Sequence, residues 1–220
     1  MAPQLILASR SPRRRQLLAH LGLPFRVVIS QVEEDLAPVA TGRPEELAEA
    51  LALAKAEAVA SEEGEGIVIA ADTIVVDGET ILGKPKHGSE AAAMLRRLRG
   101  KTHRVITGLA VVDAGSGQRA ASHVVTSVRM RPYSHAEIAA YVAHGDPLDK
   151  AGAYAIQDET FHPVASYDAV PAGRQGCYCN VVGLPLKALA TLLRRAGLDI
   201  TPDSLETLPP ECETCPIVVE

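Results

Sequence analysis

Leu5-Ile-Leu-Ala8 is a short, wholly apolar run that gives way at once to Ser9-Arg-Ser-Pro-Arg-Arg-Arg15. The run reads as a buried strand. Ser11 is a good helix N-cap, and Pro12 suits the first helical position because its missing N–H is one the helix could not bond internally. A buried strand that turns directly into a helix constrains the chain to an α/β beginning. Arg13, Arg14 and Arg15 then fall in the first helical turn. The macrodipole disfavours cations there by roughly 0.3–1 kcal/mol each. Two readings follow. The arginines are solvated on an exposed helix, or they converge with Ser9 and the helix N-terminus on an anion such as a phosphate chain.

The 220 residues suffice for one large or two small domains. Only 3% are aromatic and none is Trp, so aliphatic side chains and alanine must fill the core. A net charge of −5 argues against a nucleic-acid coat or an anionic-membrane binder, so positive charge has to act locally. No apolar run approaches membrane length, and a cytoplasmic location is expected. Four cysteines do not make a disulfide scaffold.

Periodicity and punctuation predict the rest of the order. The first helix runs from Pro12 to about Leu21 and a second strand from Phe25 to Ile29. A long helix extends from Pro44 to about Glu62. Ile67–Ala71 reads as a fully buried strand ending at Asp72, followed by Ile74–Val76, an Asp77-Gly78 turn and Thr80–Leu82. Ser89 is expected to cap a helix to about Arg99. Val105–Val112 and Ser122–Arg131 are long strands joined around Gly115-Ser-Gly117. Ser134-His-Ala-Glu137 is a capping box for a helix to about His144. Asp149–Gln157 reads as a loop entering a short strand, then come a polar stretch and a last helix from Leu184 to Ala196. The class is α/β, with a mixed twisted sheet flanked by helices. Residues 1–198 form the expected domain and 199–220 an acidic, Pro-containing tail dispensable for catalysis.

Several side chains invite chemistry. Asp72, placed at a strand end where α/β sheets keep their ligand crevice, can hold a metal, act as a base or cap the next turn. Lys84 sits between Gly83 and Pro85, and Lys55 lies beside the apolar face of its helix, where it snorkels or reaches a cleft. Glu33, Glu34 and Asp35 are a solvated loop or, with Asp72, hard ligands for Mg²⁺. His103 is the histidine to follow. Cys177-x-Cys179 with Cys212-x-x-Cys215 suggests zinc, but the first spacing is poor and on a strand those two thiols share a face, so a structural zinc is disfavoured. No P-loop and no G-x-G-x-x-G motif is present.

Ala8-Ser-Arg-Ser-Pro-Arg-Arg14, Ala71-Asp-Thr73, Gly83-Lys-Pro85, Asp149-Lys-Ala-Gly-Ala-Tyr-Ala-Ile-Gln157 and Asn180-Val-Val-Gly-Leu-Pro-Leu186 occur in this order. Together they resemble the Maf family of nucleoside triphosphate pyrophosphatases, over about Leu5 to Ala196. The resemblance implies an inosine-triphosphatase-like fold of two lobes around a cleft. It implies hydrolysis of a nucleoside triphosphate to monophosphate and pyrophosphate, assisted by a divalent cation, Mg²⁺ or Mn²⁺. By the same resemblance Asp72 is the general base. Ser9, Arg13, Arg14, Lys55, Thr73 and Lys84 bind substrate, and Glu34 holds the metal with Asp72. Ile156-Gln157, with Arg13 and Thr73, resembles the dTTP/UTP subgroup. Gln157 can pair with the imide edge of uracil or thymine. The expected partners are that nucleotide and a second copy of the chain in a homodimer, with neither nucleic acid nor membrane. Rival readings are a pyrophosphatase for modified purine nucleotides such as 7-methyl-GTP and a non-catalytic nucleotide-binding regulator of septum formation. Gln16, Asp158 and the length of the 158–175 segment depart from the family pattern.

Overall fold

A computed structural model describes residues 3–32, 42–169, 176–200, 208–212 and 215. Strand β1 (Leu5–Ala8) pairs in parallel with β2 (Phe25–Val28) on one side and β3 (Ile67–Asp77) on the other. Helix α1 (Pro12–Ala19) connects the first pair and α2 (Pro44–Glu63) lies before β3. From β3 onward the pairing is antiparallel, through β4 (Thr80–Leu82), β5 (Thr102–Asp113), β6 (Arg119–Met130) and β7 (Val164–Ala169). The sheet is therefore mixed and seven-stranded, ordered β2-β1-β3-β5-β6-β7 with β4 beside β3.

The 20-residue α2 covers one face of this sheet. Its Ala52, Ala56 and Val59 pack on Ile6, Val68 and Ala70, while Leu47 and Leu51 pack on Ile74, Val76 and Ile106. Helix and sheet come close because position 108 is glycine: a Cβ there would lie 2.1 Å from the Ala48 carbonyl oxygen. The other face carries two groups of helices. At one end α1, α5 (Tyr178–Val182) and α6 (Leu186–Arg195) enclose Leu5, Leu7, Ile67 and Ile69. At the other, α3 (Gly88–Leu98) and α4 (His135–Ala143) enclose Val75, Val105, Tyr133 and Phe161. Those two groups are the lobes, and the space between them is the cleft.

Four expectations need correction. β3 does not stop at Ala71; Asp72 and Thr73 are inside one continuous strand, opposite Gly108 and Thr107. Helix α3 is capped by the His87 ring, whose Nδ1 accepts from Glu90 N at 3.2 Å, and Ser89 is already helical. The short strand expected near Gln157 does not form. Residues Asp146–Asp149 and Ala151–Ala153 are 3-10 turns, and the missing strand is β7, drawn from the polar stretch that follows. Cys177 and Cys179 belong to the start of helix α5 rather than to a strand. Packing explains the third, since β6 offers an edge to a neighbouring extended segment whatever its polarity, and pairing with β5 carries β3 through Asp72.

Candidate active site

β1 pairs with β3 only from Leu5 to Leu7, and β4 joins the same edge of β3 only from Val75. The edge between them, around Asp72, opens directly beyond the C-terminal end of β1. The crevice rule therefore holds, though for β1 and not for β3. A cleft of about 580 Å³ lies here. Ser9, Arg13, Arg14, Lys55, Asp72, Thr73, Lys84 and Gln157 all line it. Glu34 lies outside the described residues, but Ser30, Gln31 and Val32 line the same cleft.

Alternation along β3 sends Asp72 toward α2 and Thr73 toward α1. Asp72 meets Lys55: Lys55 Nζ donates to Asp72 Oδ1, and both side chains are buried. On the other face Arg14 spans the cleft wall with its planar fork. Its Nε donates to Gly183 O at 2.8 Å and its Nη2 to Thr73 Oγ1 at 3.0 Å. The Thr73 hydroxyl lies 2.9 Å from Thr107 Oγ1, and Thr107 donates to Asn180 O at 2.9 Å. With Thr107 committed as donor, the proton order is Arg14 to Thr73 to Thr107 to Asn180. Asn180 is itself held by bonds from Nδ2 to Val105 O (3.1 Å) and Thr126 Oγ1 (2.8 Å). Thr107 and Thr126 are fully buried supports that carry no local sequence signal.

Arg13 reaches the opposite lobe and pairs with Asp149 at 2.9 Å, which also accepts from Lys150 at 2.6 Å. Burial works to raise the Asp149 pKa, but Lys150 and Arg13 prevail and hold it below the usual carboxylate value. Arg15 is exposed and does not line the cleft. The N-terminus of α1 has few donors to spare. Pro12 has no N–H, Ser11 N–H bonds Ser9 Oγ at 3.2 Å, and Arg14 N–H bonds Ser11 Oγ at 3.4 Å. An anion here is met chiefly by side chains. Lys84 is exposed on the loop after β4, and Gly83 O in that loop accepts from Gly152 N at 3.0 Å. Gln157 is exposed in a turn, its amide without a partner among the described residues. His103 does not reach the cleft. It is buried, bonds Tyr154 Oη through Nε2 at 2.7 Å, and is held neutral by burial, its pKa pushed down to about 4. Tyr154 does line the cleft.

Among the described residues no three or more His, Cys, Asp and Glu side chains stand ready-made around a metal position. Mg²⁺ is bound by one or two carboxylates with water and substrate phosphates rather than by an all-protein cage. Asp72 supplies one such carboxylate at the cleft wall.

Arginine and lysine side chains and a buried carboxylate line one α/β cleft, an arrangement with the charge to hold a phosphoanion. The family model described as Maf-like protein matches residues 4–196, and the chain belongs to that family. It is 48% identical over 213 residues to the dTTP/UTP pyrophosphatase of Thermomicrobium roseum, covering 97% of this chain and 93% of that one. It is also 48% identical to the enzyme of that name from Desulforamulus reducens, over 89% and 98% of the two chains. The dTTP/UTP pyrophosphatase of Moorella thermoacetica is 47% identical over 90% and 97%. Among the described residues no helix is long and apolar enough to cross a membrane.

Proposed function

We propose that this protein hydrolyses dTTP and UTP to the monophosphate and pyrophosphate in the cleft beside Asp72. The convergence of Arg13, Arg14, Lys55 and Lys84 around one buried carboxylate carries this reading, and the names of the relatives support it. Arg13, Arg14 and Lys84 neutralise the triphosphate. Thr73, held by Arg14 and Thr107, presents a fixed hydroxyl beside it. Asp72 takes a proton from a water in line with the α-phosphorus. As the new O–P bond forms, the bond to the bridging oxygen breaks and its electron pair leaves with pyrophosphate. Lys55 balances the Asp72 charge and fixes its orientation. A divalent cation, Mg²⁺ or Mn²⁺, held by Asp72 and Glu34, would supply charge neutralisation on the phosphate oxygens. Gln157 reads the base by donating to and accepting from its imide edge. Residues 1–198 carry all of these groups, with 199–220 as an appendage to the catalytic domain.

Pyrophosphate release measured over dTTP, UTP, CTP and 7-methyl-GTP, with and without a divalent metal, tests the reading. dTTP and UTP should show the highest kcat/KM, with metal required. Orthophosphate as first product, or 7-methyl-GTP as best substrate, would overturn it.

A further inference from the structure

Asp149 and Lys150 both line the cleft, yet neither has a part in the hydrolysis described so far. Three charges meet at this point. Asp149 accepts from Arg13 Nη1 through Oδ2 at 2.9 Å and from Lys150 Nζ through Oδ1 at 2.6 Å. Arg13 Nη2 also donates to the Asp149 main-chain oxygen at 3.4 Å. One carboxylate is thus shared by two cations, and the trio keeps a positive charge in excess. The members differ in exposure. The side chains of Arg13 and Lys150 are 19% and 14% exposed, whereas that of Asp149 is 57% exposed. An acid that already faces water turns outward at little cost, because exposed ion pairs hold weakly. A mostly buried cation left without an anion is far less favourable. The carboxylate is the movable member and the cations are the fixed ones.

The backbone holds Lys150 in place. Its N–H donates to Pro147 O at 3.2 Å, and its carbonyl accepts from Ala153 N at 3.0 Å. Gly152, at φ +68°, backs onto Val75, where a Cβ would lie 3.0 Å from Cγ2, and its N–H bonds Gly83 O at 3.0 Å. Ala153 follows in the left-handed region at φ +63° and is fully buried. A residue with a Cβ keeps that conformation only where its surroundings impose it. The turn that carries Lys150 is therefore rigid and bonded directly to the loop that carries Lys84.

We propose that Lys150 is a further phosphate-binding residue and that Asp149 competes with phosphate for Lys150 and Arg13, roles that rest on the cleft's being the triphosphate site. Phosphate oxygens accept from guanidinium and ammonium donors as a carboxylate does, and a phosphate chain brings more negative charge. As phosphate takes over the two cations, the Asp149 carboxylate turns into water, and no covalent bond changes. The competition serves turnover. Contacts to the two outer phosphates are made alike to the triphosphate and to the departing pyrophosphate, and binding of that uniform kind does not raise kcat. A carboxylate that takes the cations back loosens the hold on the product.

Inorganic pyrophosphate is the probe, titrated by calorimetry into the full-length protein and two variants at fixed ionic strength with Mg²⁺ present. Lys150→Met should weaken its binding roughly 10- to 100-fold, the worth of a charged hydrogen bond. Asp149→Asn should strengthen it roughly 2- to 5-fold, the worth of an exposed ion pair removed from competition. In the same variant KM for the triphosphate and the inhibition constant of pyrophosphate should fall together. A carboxylate that only positioned Arg13 would give the opposite sign, and weaker binding in Asp149→Asn overturns the proposal. Unchanged binding in Lys150→Met overturns it as well. Because Asp149→Asn alters an exposed group, its sign decides the matter even if Lys150→Met does not fold. An unmutated protein that binds no pyrophosphate removes the cleft reading and this one together, whereas binding that neither variant alters removes this one alone.

Discussion

Lys55 Nζ donates to Asp72 Oδ1 from α2 to β3, with each side chain only 7% exposed. The ammonium and the carboxylate are removed from water together, so neither can be changed without consequence for the other. Removing one member of such a pair leaves a charge uncompensated, whereas replacing both is often nearly neutral.

Asp72→Asn should therefore lower turnover by roughly 10²-fold or more, because the amide cannot accept the water's proton. Nucleotide binding, read by equilibrium titration, should survive. Lys55→Met should destabilise the fold by about 3–5 kcal/mol, and Lys55→Met/Asp72→Leu should recover most of that while remaining inactive. Denaturant unfolding and pyrophosphate release separate the two effects. Wild-type turnover in Asp72→Asn would move the base elsewhere.

Arg14→Lys should lower kcat/KM by roughly 10- to 100-fold, the worth of a charged hydrogen bond of about 1.5–3 kcal/mol. A single ammonium cannot reach both Gly183 O and Thr73 Oγ1, which Arg14 now bridges. Thr73→Val should show a smaller loss in the same direction. Equal kinetics for Arg14→Lys and the unmutated protein would show that the fork is structural.

His103 predicts a pH dependence of stability. Its folded pKa of about 4 lies below its ordinary value of 6.5 because burial penalises the imidazolium, and Nδ1 has no partner among the described residues. The unfolded chain thus binds the extra proton between these values. Stability is full above pH 6.5 and falls as pH drops toward 4, by about 3 kcal/mol at the limit. His103→Gln, which keeps a polar partner for Tyr154, should flatten this slope in urea unfolding measured from pH 7 to 4. Parallel curves for the two proteins would assign the loss to other groups.

Gln157→Ala should narrow the preference for UTP over CTP, since a lost base contact is worth about 1–3 kcal/mol. Competition assays with both nucleotides present read the ratio directly. An unchanged ratio would mean that the exposed amide does not touch the base.

Truncation after Ile200 should leave kcat and KM near their full-length values, because among the described residues none that lines the cleft lies beyond that point. It should nevertheless lower the melting temperature, since Cys212 and Cys215 are buried in the core and Leu208 packs against it. Loss of activity in folded, truncated protein would contradict the separation of the tail from the cleft.

The sequence by itself determined which residues could do chemistry and most of the elements that carry them. Apolar runs, the Ser11-Pro12 helix start, the Asp77-Gly78 turn and the Ser134 capping box are local signals, written in residues a few positions apart. Their local nature is why β1, α1, α2, β5, β6 and α4 were legible. The tertiary structure alone decided which of those residues meet. Gly108 lets α2 approach until Lys55 finds Asp72. Thr107 becomes a support only because β5 lies opposite Thr73. β7 forms from a polar stretch because β6 has an edge to fill, and two cysteine pairs separated by some 30 residues come together in one apolar pocket. Each of these depends on partners distant in the chain, and distant pairing leaves no periodicity in the sequence from which it could be read.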